Sequence, residues 1–506
     1  MQKVPWFKLV FGIFLLGEIM GVAISGGATL QYPSLTDAEK EKPVSEWEES
    51  KDIADRSMTQ ALEQAFHLDD GIDEDGLAVR TVNGIVTVSG SVTNILAKER
   101  AIHMAERIKG VRAVINRIGA RLREIRSDEA IRHDIEAALA EDPATRDSQF
   151  TVEVEAGLAK LGGEVQSWQL KELALQVVKG VKGVKDVTNT MSVQPQRTVS
   201  DSHLEQEIRQ RLESDVFIDD QTVSVKVHNR KVTLSGVVGS VAEKTRTMGQ
   251  SWSSGVTAVD ASDLEVKWWD AKPMQHDPRT VLKSDQAIHR AVKDALLFDP
   301  RVISFDPHVH VQDGIVTLTG TVDNLRAKQA AGQNAKHTTG VIRVKNLLKV
   351  RPEDSPADTE IADNIRAALN RDSSVEGVGL HISVKNGTAE LTGMVDSSFQ
   401  KAHVQNLVSK VNGVVAVRNR LHIIPPTLST QERDLVQDIK NKLWWNPDVD
   451  SYQISVAVED GVAILKGTVS SWVERIQAEQ NAREAGAKEV RNLLQLRQGS
   501  DFRPAS

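Results

Sequence analysis

Nine basic residues crowd one stretch of this 506-residue chain: Lys98, Arg100, Arg107, Lys109, Arg112, Arg117, Arg121, Arg123 and Arg126. Residues 96–126 also hold three glutamates, so the stretch carries a net charge of +6. Such a patch would attract anionic headgroups, at about 1 kcal/mol for each charge near the surface. The bland reading is a solvated helix followed by an edge strand. An acidic segment at 36–56 precedes the patch and would be able to mask it. Tryptophans recur near helix starts at Trp168 and Trp472, and Trp444-Trp445 stand where a later helix ends. An indole suits a membrane interface, but it equally suits packing within or between domains.

Other chemistry finds little support. The whole chain has a net charge of −8, unlike a general nucleic-acid binder. It has no cysteine, which removes disulfides, thiolate zinc sites and cysteine nucleophiles. HLDDGIDEDGL (67–77) invites calcium but fails the ligand spacing of an EF-hand loop. The 13 histidines lack metal-ligand spacing. No phosphate-binding glycine loop, nucleophile elbow or zincin motif is present. The carboxylates show no common position along the chain, so no acid/base pair is visible. The expectation is a protein that binds, without catalytic residues, cofactor or metal.

The elements that would hold the basic patch come in copies. NGIVTVSGSV at 83–92 returns as DGIVTLTGTV at 313–322 and DGVAILKGTV at 460–469. The strand glycines Gly90, Gly163, Gly236, Gly320, Gly393 and Gly467 are spaced by 73, 73, 84, 73 and 74 residues, each with valine two places on. This is a tandem array of six. Asn83, Asp313, Asn386 and Asp460 precede turn glycines six residues before the strand glycine, a hairpin signal. Repeat 3 has Asn229-Arg230 there, which predicts a more strained turn. Asn94, Ser167, Ser240, Asn324, Ser397 and Ser471 stand where a second helix would be capped, and Glu243, Gln400 and Glu474 would complete capping boxes. A glycine (Gly110, Gly183, Gly255, Gly340, Gly413, Gly486) ends that helix. A third strand follows with Val-x-Asn-x-apolar, from which repeat 3 departs by Ala261. An apolar stripe such as Ile131, Ile135, Ala138 and Leu139 predicts the opening helix, with Ser127, Ser200 and Ser284 as caps.

The predicted class is α+β: six small α-β-β-α-β domains, each a mixed three-stranded sheet packed under two helices. They span 52–123, 127–194, 200–267, 284–350, 357–424 and 429–497. The structural glycines are expected to serve backbone geometry, with no ligand role. Residues 268–283, with two prolines, are expected to form a hinge between three repeats and three. Residues 1–25 are expected to be a signal peptide or N-terminal anchor: Lys3 and Lys8 precede an apolar run from Leu9 to Ile24, broken by Glu18. An acidic linker, 26–51, follows. Either fate of the leader places the remainder in the periplasm or envelope.

This order of helix, Gly-x-Val hairpin, capped helix, glycine and Val-x-Asn resembles the BON domain family. NGIVTVSGSV, DGIVTLTGTV and DGVAILKGTV carry the resemblance; repeats 2 and 3 match less well. The resemblance implies an exported, non-enzymatic module in contact with phospholipid surfaces, with envelope proteins as further partners and a role in osmotic or other stress. A protein scaffold without lipid contact is the rival reading. The oligomeric state is not legible in the sequence.

Overall fold

The computed structural model describes residues 53–496, apart from 68, 70, 73–75, 122–125, 195–198, 254, 269–282, 303–306, 353–355, 376–378, 396–397 and 424–431. The leader, the acidic linker and most of the hinge segment therefore lie outside the described residues. Each repeat has an opening helix, a hairpin, a second helix and a third strand. In repeat 1 these are Asp55–His67, Leu77–Val82 with Ile85–Val92, Ile95–Glu106 and Ala113–Ala120. The first two strands pair antiparallel and the third joins the second in parallel, which makes the sheet mixed. The helices cover one face. In repeat 2, Ile131, Ile135 and Leu139 project from one side of the opening helix into a core with Ala159, Leu161, Val165 and Ala174.

The local signals resolve into specific contacts. Gly90 has a φ of +124°, and a Cβ there would lie 1.8 Å from the carbonyl oxygen of Gly76. The strand glycine thus answers both a left-handed conformation and a backbone approach from the first strand. Repeat 3 does carry the strained turn: Arg230 has a φ of +61° where four other repeats have glycine after Asn or Asp. The caps form as expected in the described repeats, for example Ala97 N to Asn94 Oδ1 at 2.8 Å. The capping-box glutamates reach further than the motif requires. Glu243 accepts from Gly239 N at 2.8 Å and from Asp219 N at 2.9 Å, so it ties the second helix to the loop after the opening helix. Ser397 lies outside the described residues.

The asparagine of the third strand also gains an explanation. Asn419 accepts from Leu421 N at 3.2 Å and donates to Lys401 O at 2.9 Å, stitching strand to second helix. Repeat 3 departs there through a bulge: Asp260 opposes Thr233 and Asp263 opposes Ser235, leaving Ala261 and Ser262 against Leu234 alone.

One expectation is overturned. Carboxylates do share positions across the repeats, and they do so at the spacing of the glycines. Asp55, Asp128, Asp201, Asp285 and Asp358 open the first helix, and each clamps both amides of its hairpin turn; Asp358 reaches Asn386 N at 2.8 Å and Gly387 N at 2.9 Å. Those two hydrogen bonds hold the Asp358 carboxyl below the usual range. A second set, Asp69, Asp142, Asp215, Asp299 and Asp372, with Asn446 in repeat 6, lies buried beyond the helix end. The second set is salt-bridged or hydrogen-bonded throughout, so both sets hold the fold together.

Candidate functional site

The repeats meet through their helical sides. The amide of Lys109 donates to Trp445 O at 3.1 Å, joining repeat 1 to repeat 6. Lys182 N to Arg371 O at 2.7 Å joins repeat 2 to repeat 5, and Thr339 N to Ser214 O at 2.9 Å joins repeat 4 to repeat 3. The last two junctions close with a second bond, Ser373 N to Gly180 O at 3.0 Å and Val216 N to His337 O at 3.0 Å. The equivalent residue of repeat 6 is Pro447, which has no N–H to donate. There, side chains take over: Trp444 and Trp445 enter the core of repeat 1.

The buried aspartates brace these junctions. Arg100 and Arg246 sit at one position of the second helix and chelate Asp69 and Asp215; Arg246 Nε lies 2.8 and 2.7 Å from the two oxygens. Repeat 5 uses His403, whose Nε2 lies 2.9 Å from both oxygens of Asp372. Repeat 2 lacks such a partner in its own helix, and Asp142 binds Arg326 of repeat 4.

Between the helices lies a cavity of about 1280 Å³. Gln64, Gln176, Gln329, Asn406 and Gln480 line it from repeats 1, 2, 4, 5 and 6, so its walls are rich in amides. Among the described residues, no group of three or more His, Asp or Glu is placed to hold a metal ion. No described helix is long and apolar enough to cross a membrane.

The basic residues singled out in the sequence fall into two groups. Five are engaged inside the chain. Lys98 pairs with Asp186 at 3.4 Å, Arg100 chelates Asp69, and Arg107 bonds Asp448 of repeat 6. Arg126 pairs with Asp134 at 2.8 Å. Lys109 is only 6% exposed, with its ammonium 4.7 Å from the centre of the Trp444 ring, and burial draws its pKa down to about 8. Arg112, Arg117 and Arg121 are exposed, on or beside the third strand. Arg123 lies outside the described residues. Trp168 stacks on Trp252 of repeat 3 at 5.8 Å and 3°, and Trp472 lies under Arg475 at 5.1 Å. All six strand glycines have positive φ, and at all but Gly320 a Cβ would also press on a backbone carbonyl, as at Gly90.

What remains open to solvent is the outer face of each sheet. In repeat 1, Val86 and Val88 point inward, while Ile85, Thr87, Ile115 and Arg117 point outward. Ala78, Arg80, Ser89 and Ser91 complete the outward set along the strands, so that face holds cations and no carboxylate. Sequence counting located the charge but not its division between junction and surface. The signal that would have divided it is the alternation of the strand.

Comparison with known proteins gives three findings. A model of the BON domain family matches residues 54–121, 127–195, 200–267, 284–352, 357–425 and 431–498. Osmotically-inducible protein Y of Escherichia coli (strain K12) is 31% identical over 143 residues, covering 27% of this chain and 71% of that protein. CdsD, a structural protein of the type III secretion system of Chlamydia trachomatis, is 16% identical, with 41% of this chain and 91% of that chain covered, at a TM-score of 0.12.

Proposed function

The chain belongs to the BON domain family, with six domains in tandem, and from that premise we propose that it is an exported binding protein whose outer sheet faces contact phospholipid surfaces. In this reading it supports the cell envelope under osmotic stress. The observation that carries it is the division of labour just described: helical sides face one another across the junctions, while the outer face of repeat 1 presents Arg80, Arg117 and Arg121 with no carboxylate among its outward strand residues. Each cation near an anionic surface contributes about 1 kcal/mol. Several such faces on one chain add avidity where they reach the same surface. The basic leader followed by an apolar run supports export to the periplasm. The likeness to an osmotically inducible protein supports the stress role.

Vesicle co-sedimentation of residues 26–506 tests the reading. Pelleting should require anionic lipid and weaken as salt rises. A chain that ignores both anionic and zwitterionic vesicles at low salt would be read instead as a scaffold. The third strand is an edge strand in each sheet, and such an edge can pair with a partner's main chain. A stoichiometric protein partner without lipid binding would establish that alternative.

A further inference from the structure

We infer that the outer face of repeat 4 is the principal docking site for anionic phospholipid headgroups and sets the orientation of the whole chain on a bilayer. This rests on the membrane reading above and names its site. The third strand of repeat 4 runs as Arg343–Asn346 and Lys349–Val350. Val344 and Leu348 turn into the core, so Arg343, Lys345, Leu347 and Lys349 turn out, and Arg351 follows, also exposed. Among the described residues, none of these four cations has a side-chain hydrogen bond or ion pair.

One exposed aliphatic side chain, Leu347, stands in the same row, and a second, Ile342, lies just before the strand beside the hairpin turn. Leu347 is 59% exposed and Ile342 is 43% exposed. The outward residues beside them are His308, His310, Ile315 and Thr317, again without a carboxylate. A row of unpaired cations with Leu347 among them suits a surface that is anionic outside and apolar a few ångströms beneath. A purely ionic partner would leave Leu347 without a role.

The rest of the chain gives the orientation. Repeat 3 is joined directly to repeat 4, yet its third strand carries Asp260, Asp263 and Glu265. Repeat 2 shows Glu153 and Glu155 on its first strand. Glu153 pairs with Lys160 and Glu265 with Lys267, and Lys226 and Lys231 share the repeat 3 face, so these faces of mixed sign gain less from an anionic bilayer than the face of repeat 4. Repeat 4 would therefore face the lipid while repeats 2 and 3 tilt away.

The experiment uses the mature full chain with vesicles of phosphatidylglycerol and phosphatidylcholine. Arg343→Gln, Lys345→Gln, Lys349→Gln and Arg351→Gln are combined in one variant, and Leu347→Ser is made alone. Because all five side chains are exposed, circular dichroism and Tm should stay at wild-type values. The fourfold variant should lose about tenfold or more in vesicle partitioning at low salt. Leu347→Ser should lose affinity that persists at high salt, where screening has removed the ionic part. A wild-type chain that binds vesicles while the fourfold variant binds equally well would overturn this site and leave the membrane reading intact. A wild-type chain that binds no vesicle would overturn both. Loss of an acidic protein partner in the variant, without any vesicle effect, would likewise overturn it.

Discussion

The backbone amide of Lys109 in the first repeat donates to the carbonyl of Trp445 in the sixth, at 3.1 Å. The contact joins residues 336 positions apart and is one of three like it. All three junctions join a repeat of the N-terminal half to one of the C-terminal half. Residues 268–283 therefore connect halves that touch one another.

Cutting the chain within residues 269–282 should consequently leave both halves together. A protease site engineered there, followed by gel filtration in native buffer, should give one peak at the intact size. Two peaks at half size would show that the junctions are too weak to hold without the covalent link.

The buried aspartates predict a graded effect. Asp215 is 4% exposed at its side chain and receives both Arg246 and Gln250, the latter at 2.7 Å. Asp215→Ala should destabilise the chain by about 3 kcal/mol, since a partly buried guanidinium loses its counter-charge. Asp363→Ala, at a solvent-exposed pair with Arg366, should change stability by less than about 0.5 kcal/mol. Urea unfolding of the two variants measures the contrast.

A pH dependence follows from Glu243. Burial raises its pKa to about 7, against the pull of two backbone amides. The folded state therefore holds a proton that the unfolded chain has released. Its contribution to stability is complete below the unfolded value near 4.5 and fades as pH rises through about 7. Glu474, raised by burial in the same way, acts in the same direction. Glu243→Gln should flatten the fall in Tm between pH 5 and pH 8, measured by thermal denaturation across that range. A fall of unchanged steepness would place its cause in other groups.

Much of the fold could be read directly, because its determinants are local. A strand glycine, a turn dipeptide and a capping serine act within a few residues, and six copies repeat them in register. The junctions could not be read so, because nothing near Lys109 names Trp445 as its acceptor. The buried aspartates were legible in principle: Asp69, Asp142 and Asp215 keep the same 73-residue spacing as Gly90, Gly163 and Gly236. They were hidden by the many solvated carboxylates around them. The basic face of repeat 4 is hard to read from the sequence for a related reason. A count over a window favours repeat 1, where helix and strand charges add, although Arg100 and Lys109 are turned into junctions. Alternation along Arg343–Val350 places its cations on one side without raising the count.

The central claim is that the helical sides close on one another and the outer sheet faces do the binding. Hydrogen exchange of residues 26–506, with and without anionic vesicles, tests it most directly. The account predicts new protection at residues 113–120 and 343–350, with the inward helices 325–336 and 398–410 unchanged. Protection confined to those helices, with the third strands exchanging as before, would contradict it.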